Sequence, residues 1–199
     1  MNQNALNILA FSGSLRQAST NTALLGAAQM LAPAPVKIEI WQGTDQLPHF
    51  SPDLESAPPD NVQVLRKRVG NCDGILIACP EYARGIPGSF KNLLDWLVGG
   101  ETFVNKKIAL WNASPRASEA QKSLRLVLET MSGQIVEAAA LAIPLISKQI
   151  TSRSIAEDRE FGPAIVEAIE NFAAALIASK TSRMNGVAAC PEQSAMNRL

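Results

Sequence analysis

Five short apolar runs recur along the chain with helical patterns between them: LNILAF (Leu6–Phe11), VKIEIW (Val36–Trp41), GILIAC (Gly74–Cys79), KIALWNA (Lys107–Ala113) and IVEAAALAI (Ile135–Ile143). No other feature limits the possible folds so strongly. Most of these runs are apolar at nearly every position, the pattern of a strand covered on both faces. Strand alternating with helix five times over implies an α/β fold, a doubly wound five-stranded parallel sheet with helices on both faces. Right-handed crossovers then leave few topologies.

The helical patterns carry their own start and stop signals. Thr22 to Ala32 places Leu24, Ala28 and Leu31 on one face before Pro33. A second helix begins near Asp60, with Gln63 three residues on in a capping-box spacing and Val62, Leu65 and Val69 turned inward. In PGSFKNLLDWLVGG the residues Phe90, Leu93, Leu94 and Leu97 form a wide apolar face that stops at Gly99-Gly100. Ser118 and Gln121 make another capping-box pattern, and a last helix starts at Gly162-Pro163 and runs inward through Ile165, Ile169, Phe172 and Leu176. Two long polar connections remain, Gln42–Pro59 and Ser147–Gly162, and there is no internal repeat. Residues 1–180 are expected to form a single domain, with 181–199, poor in apolar residues, as a flexible tail.

A chain of 199 residues, 47% hydrophobic, can bury a full core. Lys+Arg and Asp+Glu balance at 18 each, which points away from nucleic acid and anionic membranes as partners. No apolar run is read as long enough to span a bilayer, and MNQNALNI lacks the pattern of a secretory signal. Cys72, Cys79 and Cys190 form no CxxC pair, which suits a reducing, cytoplasmic compartment. His49 is the sole histidine and receives no role, so zinc sites and histidine-based triads are disfavoured.

In folds of this class ligands sit beyond the carboxyl ends of the strands, where the winding reverses. After the first run comes FSGSLRQASTN, where Ser12, Ser14, Ser19, Thr20 and Asn21 offer neutral donors and Arg16 a planar charged fork at a helix N-terminus. Gly13 is its only glycine and no GK[ST] follows, so it is neither GxGxxG nor a Walker loop. A single terminal phosphate fits better than a pyrophosphate. The competing reading is a polar loop in which Ser19 or Thr20 caps a helix. After the third run, PEYARGIPGSFKNLLDW offers backbone N–H groups between Gly85 and Gly88 and a flat cover in Tyr82 or Pro80. Here too a plainer reading stands, with Pro87 and Gly88 starting the next helix and Glu81 and Arg84 as solvated charges.

Together GSLRQASTN and PEYARGIPGSFKNLLDW closely resemble the NADPH-dependent FMN reductase family, flavodoxin-like enzymes that include quinone, chromate and azo-dye reductases. The family pattern reads GS-[LI]-R-x-x-S-x-N, then P-E-Y-x-x-G-x-P-x-x-x-K-N-x-[LI]-D-W, and the strand–helix alternation matches over about residues 5–180. The resemblance implies the sheet order 2-1-3-4-5 and FMN held by its 5′-phosphate on Ser14, Arg16, Ser19, Thr20 and Asn21. It also implies an isoalloxazine lying along Pro80, Glu81, Tyr82, Ala83, Arg84 and Gly85. A third contact loop is implied after the fourth run, where NASPRAS carries Ser114, Pro115 and Arg116 in place of the glycine-rich stretch of many members.

The implied reaction is a ping-pong hydride transfer from NADPH or NADH through flavin N5 to a small acceptor such as a quinone, a flavin, an azo compound or a metal oxyanion. No side chain serves as catalyst and no metal is needed. Arg84 and Arg116 are the candidates for a nicotinamide-nucleotide phosphate, and Cys79 reads as a small core residue. Trp96 on a strongly apolar helix suggests a subunit interface, in keeping with the dimers and tetramers of the family; ordinary packing under Gln42–Pro59 is the alternative. Two other readings compete with the enzyme: a flavodoxin-like electron carrier or FMN-binding interaction protein without nicotinamide turnover, and a member that has lost its flavin.

Overall fold

Leu6–Ser12 forms β1, and its side chains alternate between two hydrophobic clusters. Ile8 and Ala10 face one way, Leu9 and Phe11 the other, and all four are buried. This is the physical reason the runs are apolar throughout: each face of the sheet carries its own core. The computed structural model describes residues 5–114, 118–145 and 150–187.

Chain order continues with α1 (Thr20–Leu31), β2 (Val36–Ile40), α2 (Asp60–Asn71), β3 (Gly74–Ala78), α3 (Gly88–Val98), β4 (Lys107–Asn112), α4 (Ser118–Thr130), β5 (Gln134–Ile135), β6 (Leu141–Ala142), α5 (Ser152–Ala156) and α6 (Phe161–Val187). All strand pairs are parallel, in the order 2-1-3-4-5. On one side α1, α5 and α6 bury Leu24, Ile155, Ile165 and Phe172 against the sheet; on the other, α2, α3 and α4 bury Leu65, Phe90, Leu93 and Leu124. Each such large side chain contributes about 1.5–3 kcal/mol on leaving water.

The structure corrects several sequence expectations. The fifth run is not one strand: β5 pairs with the start of β4 and β6 with its end, and a 3-10 turn at Glu137–Ala139 separates them. That turn carries two alanines and a glutamate, weak strand formers. It also frees the Ala139 carbonyl to accept from the buried Trp111 Nε1 at 2.9 Å, a bond an uninterrupted ladder would not leave open. The cap of α2 is Pro59, with no side-chain hydrogen bond; Gln63 Nε2 instead donates to the Pro58 carbonyl at 2.8 Å. Within the connection Ser147–Gly162, α5 is closed by a capping box between Thr151 and Ser154. Over Phe161–Thr181, α6 is long and apolar enough to cross a membrane by length and composition alone, contrary to the reading of the runs, yet its stripe Ile165, Ile169, Phe172 and Leu176 is buried on the sheet. The same helix runs on to Val187, into the segment that the sequence marks as a tail; Cys190 and the rest of that tail lie outside the described residues.

Trp96 is the clearest reversal. Its side chain is fully buried, its Nε1 donates to the Pro48 carbonyl at 2.8 Å, and Phe50 meets its ring edge-on at 5.1 Å. It therefore packs beneath the Gln42–Pro59 connection and offers no surface for a subunit contact.

Candidate functional site

The loops after β1 and β3 meet at the carboxyl edge of the sheet, beside the start of α4. In the first, Gly13 N continues the ladder to the Ala78 carbonyl at 2.9 Å, which draws the chain hard against β3. A Cβ on Gly13 would lie 2.6 Å from Cys79 Sγ and 3.0 Å from Cys79 Cα. The glycine is thus required by a neighbouring strand end, and the turn beyond it is built by hydroxyls. Ser14 N donates to Ser12 Oγ and Arg16 N to Ser14 Oγ, each at 3.3 Å, while Ser12 Oγ and Thr22 Oγ1 share a 2.8 Å bond.

Ser19 is the N-cap of α1 and its Oγ accepts from Thr22 N at 3.3 Å; Thr20 is the first helical residue. The capping reading of this loop is therefore correct, and it does not exhaust the loop's chemistry. Among the described residues the buried polar side chains are Ser14, Ser19, Asn21 and Thr44. Three belong to this loop, and the fourth, with Asp45, lines a cavity of about 280 Å3 to which the loop contributes Ser12, Ser14 and Arg16, and α1 Thr22. Asn21 is 5% exposed and its Oδ1 lacks a partner. Buried amide groups are ordinarily paired; Trp41 Nε1, whose residue lines the same cavity, and Thr102 Oγ1 are likewise buried without a partner. Turned over, the Asn21 amide presents its NH2. The Arg16 guanidinium is exposed at the cavity and takes part in none of the ion pairs among the described residues.

The second loop is a tight turn. Tyr82 and Gly85 exchange both backbone hydrogen bonds, at 3.1 and 3.0 Å, and the two residues between them are left-handed: Ala83 has φ 49° and Arg84 φ 60°. Neither is glycine, so the turn is strained, at roughly 1–2 kcal/mol per residue. It leaves the N–H groups of Ala83 and Arg84 outside the bridge. Pro80 precedes it, half-buried, and Ala83 and Arg84 are exposed. Tyr82, itself exposed, reaches Ser14 with its hydroxyl, 3.3 Å from Ser14 Oγ, and so joins the second loop to the first.

Glu81 behaves differently from its expected neighbours. Its Oε2 accepts from the N–H groups of Glu119 and Ala120, both at 2.9 Å, at the start of α4. The capping box expected from Ser118 and Gln121 is not formed: Ser118 Oγ donates to Glu119 Oε1, and Gln121 Nε2 to the Trp111 carbonyl, each at 3.4 Å. A hydrogen bond from Lys122 at 2.9 Å holds the Glu119 carboxyl below its usual range. In the third loop Ser114 N donates to Asn112 Oδ1 at 2.9 Å; Arg116, with Pro115, lies outside the described residues. Cys79 is buried behind the first loop and desolvation pushes its thiol up to about 12, so it stays protonated and inert. Thr22, Thr44, Asn112 and Asp45 escape sequence reasoning. Thr22 shows the only usable signal, a hydroxyl within the first helical turn after the quoted motif.

The fold agrees with what comparisons with known proteins find. A family model described as NADPH-dependent FMN reductase matches residues 6–148. A 2-hydroxy-1,4-benzoquinone reductase of Burkholderia sp is 38% identical over 92 residues, covering 46% of this chain and 50% of that protein. A quinone reductase of Escherichia coli K12 is 31% identical over 94 residues, again 46% of this chain and 50% of its own length. An NADH:(hydroxy)cinnamate reductase subunit of Vibrio ruber is 32% identical over 129 residues, 63% of each protein. The chain spans about half the length of most of these curated relatives. Among solved structures, a flavoenzyme NAD(P)H:(acceptor) oxidoreductase from Paracoccus denitrificans has a TM-score of 0.73 at 23% identity, over 87% of this chain and 98% of that one, a likeness of fold.

Proposed function

The chain belongs to the NADPH-dependent FMN reductase family, and from that premise we propose that it is an FMN-dependent NAD(P)H oxidoreductase acting on a small diffusible acceptor of the quinone class. The observation that carries this reading is the gathering of buried polar side chains around one loop, with an orphaned amide at Asn21 and an unpaired guanidinium at Arg16.

These residues fit a phosphomonoester. Ser14, Ser19 and Thr20 present hydroxyls, the first turn of α1 presents N–H groups, Asn21 presents its amide and Arg16 a charged fork. Ser19 keeps its hydroxyl proton for a ligand, because its oxygen is an acceptor in the cap. The turn from Tyr82 to Gly85 would set the N–H groups of Ala83 and Arg84 against the edge of a planar heterocycle, with Pro80 and Tyr82 beside its face. When bound, FMN supplies hydride acceptance from NADPH or NADH and delivery to the acceptor in two separate half-reactions. The chain's own work is to hold and orient; Cys79, the described cysteine behind the first loop, stays protonated. Arg84 is the described candidate for the co-substrate's phosphate. We place the protein in the cytoplasm, a reading supported by Cys72 and Cys79, both free and buried.

Titration with FMN, followed by quenching of flavin fluorescence, is the first test, and anaerobic bleaching of the bound flavin by NADPH or NADH the second. Absence of quenching removes the flavin reading altogether, and binding without bleaching leaves a carrier. Arg16→Ala is expected to weaken FMN by about 1.5–3 kcal/mol, the scale of a charge-assisted hydrogen bond; unchanged affinity takes Arg16 out of the site.

A further inference from the structure

We infer that Glu81 is a positioning residue: its carboxylate is the N-terminal cap of α4, and through that cap it fixes the strained turn at Tyr82–Gly85 without touching the ligand.

Helix N-termini leave N–H groups without intrahelical partners and carry partial positive charge. At α4 the local side chains are engaged elsewhere, Ser118 with Glu119 and Gln121 with Trp111. A single oxygen from a loop 38 residues earlier takes two of the exposed donors, at 2.9 Å each. A carboxylate at this place meets both the donors and the helix dipole, so the bonds are charge-assisted. Its sequence neighbour Tyr82 opens the turn whose next two residues are left-handed. Non-glycine residues stay in that region only where their surroundings hold them. The turn is held from both sides: Tyr82 reaches forward to Ser14 in the first loop, and Glu81 is anchored behind it on α4. Freed from α4, the turn can relax and carry the N–H groups of Ala83 and Arg84 away from a ring edge. The phosphate loop, built by its own hydroxyl bonds, keeps its shape.

The inference rests on the FMN reading and separates from it experimentally. In the full chain, FMN affinity is measured by fluorescence quenching, inorganic phosphate affinity by competition, and amide exchange at Glu119 and Ala120 by NMR. Glu81→Ala is expected to weaken FMN about tenfold, the order of a lost helix cap, to leave phosphate within about twofold, and to accelerate exchange at both amides. Glu81→Gln keeps an acceptor oxygen and should restore most of the affinity and protection. Glu119→Pro deletes one donor at a first-turn position that tolerates proline, leaves Glu81 in place, and should reproduce part of the loss even if Glu81→Ala does not fold. FMN binding equal to wild type overturns the inference, as does equal weakening of FMN and phosphate. Loss of affinity with amide protection intact means the carboxylate meets the ligand itself, which also overturns it. Failure of the wild type to bind FMN defeats the functional reading, while the exchange data still report on the cap.

Discussion

Gly13 shows how a residue can be legible in type while its cause lies elsewhere in the fold. In the sequence it stands as the one glycine of a donor-rich loop, which sets that loop apart from GxGxxG. In the fold its missing Cβ is what lets β1 and β3 close on each other at Cys79. Gly13→Ala should therefore lower stability by about 1–3 kcal/mol in urea denaturation, the usual cost of overpacking, with or without ligand. Cys79→Ala should relieve this only in part, because Cys79 Cα itself lies 3.0 Å from the added carbon. The turn at Ala83 makes the opposite prediction. A left-handed alanine is costly and glycine is not, so Ala83→Gly should stabilise the protein by about 0.5–1 kcal/mol after allowing for the added freedom of the unfolded chain. A lower midpoint on thermal unfolding would show that the turn is not strained.

At the scale of elements, existence was easier to read than role. The inward faces of α1, α2, α3 and α6 follow from apolar spacing, and their residues are buried as expected except Leu31, which is half-buried at the end of α1. Helix α3 shows the limit of such spacing. Periodicity places Trp96 off the sheet-facing stripe, and only the path of the Gln42–Pro59 connection decides what covers it. Because the indole is sealed under Pro48 and Phe50, Trp96→Ala should cost about 3–5 kcal/mol in chemical denaturation. Sedimentation of the folded variant should show the association state of the wild type; a shift would return Trp96 to an interface. The interrupted fifth strand teaches the same lesson, since the demand of Trp111 for an acceptor comes from another element.

For the molecule as a whole, we propose that residues 1–180 act as one domain, because both cores share the same strands. Trp111 lies in the cluster under α1 and α6, and Trp96 in the cluster under α2 and α3. Two single-tryptophan proteins, each with the remaining indoles changed to phenylalanine, therefore report on opposite faces. Each fluorescence transition in urea should coincide with loss of circular dichroism in the same variant. Separated midpoints would divide the domain into two units.

The sequence by itself determined the alternation of strands and helices and hence the fold class, and the family resemblance carried the sheet order. Those follow from short-range patterns: apolar runs, helical spacing, and two motifs whose residue types must stand close together along the chain. Only the tertiary structure decided which of those residues serve the fold. Glu81 caps a helix far along the chain, Gly13 yields to a neighbouring strand, Trp96 lies beneath a loop, and Thr44 joins the cavity beside the first loop from a connection with no signal of its own. Each assignment depends on a partner distant in sequence, and hydrogen-bond demand and close packing are settled only when the elements meet.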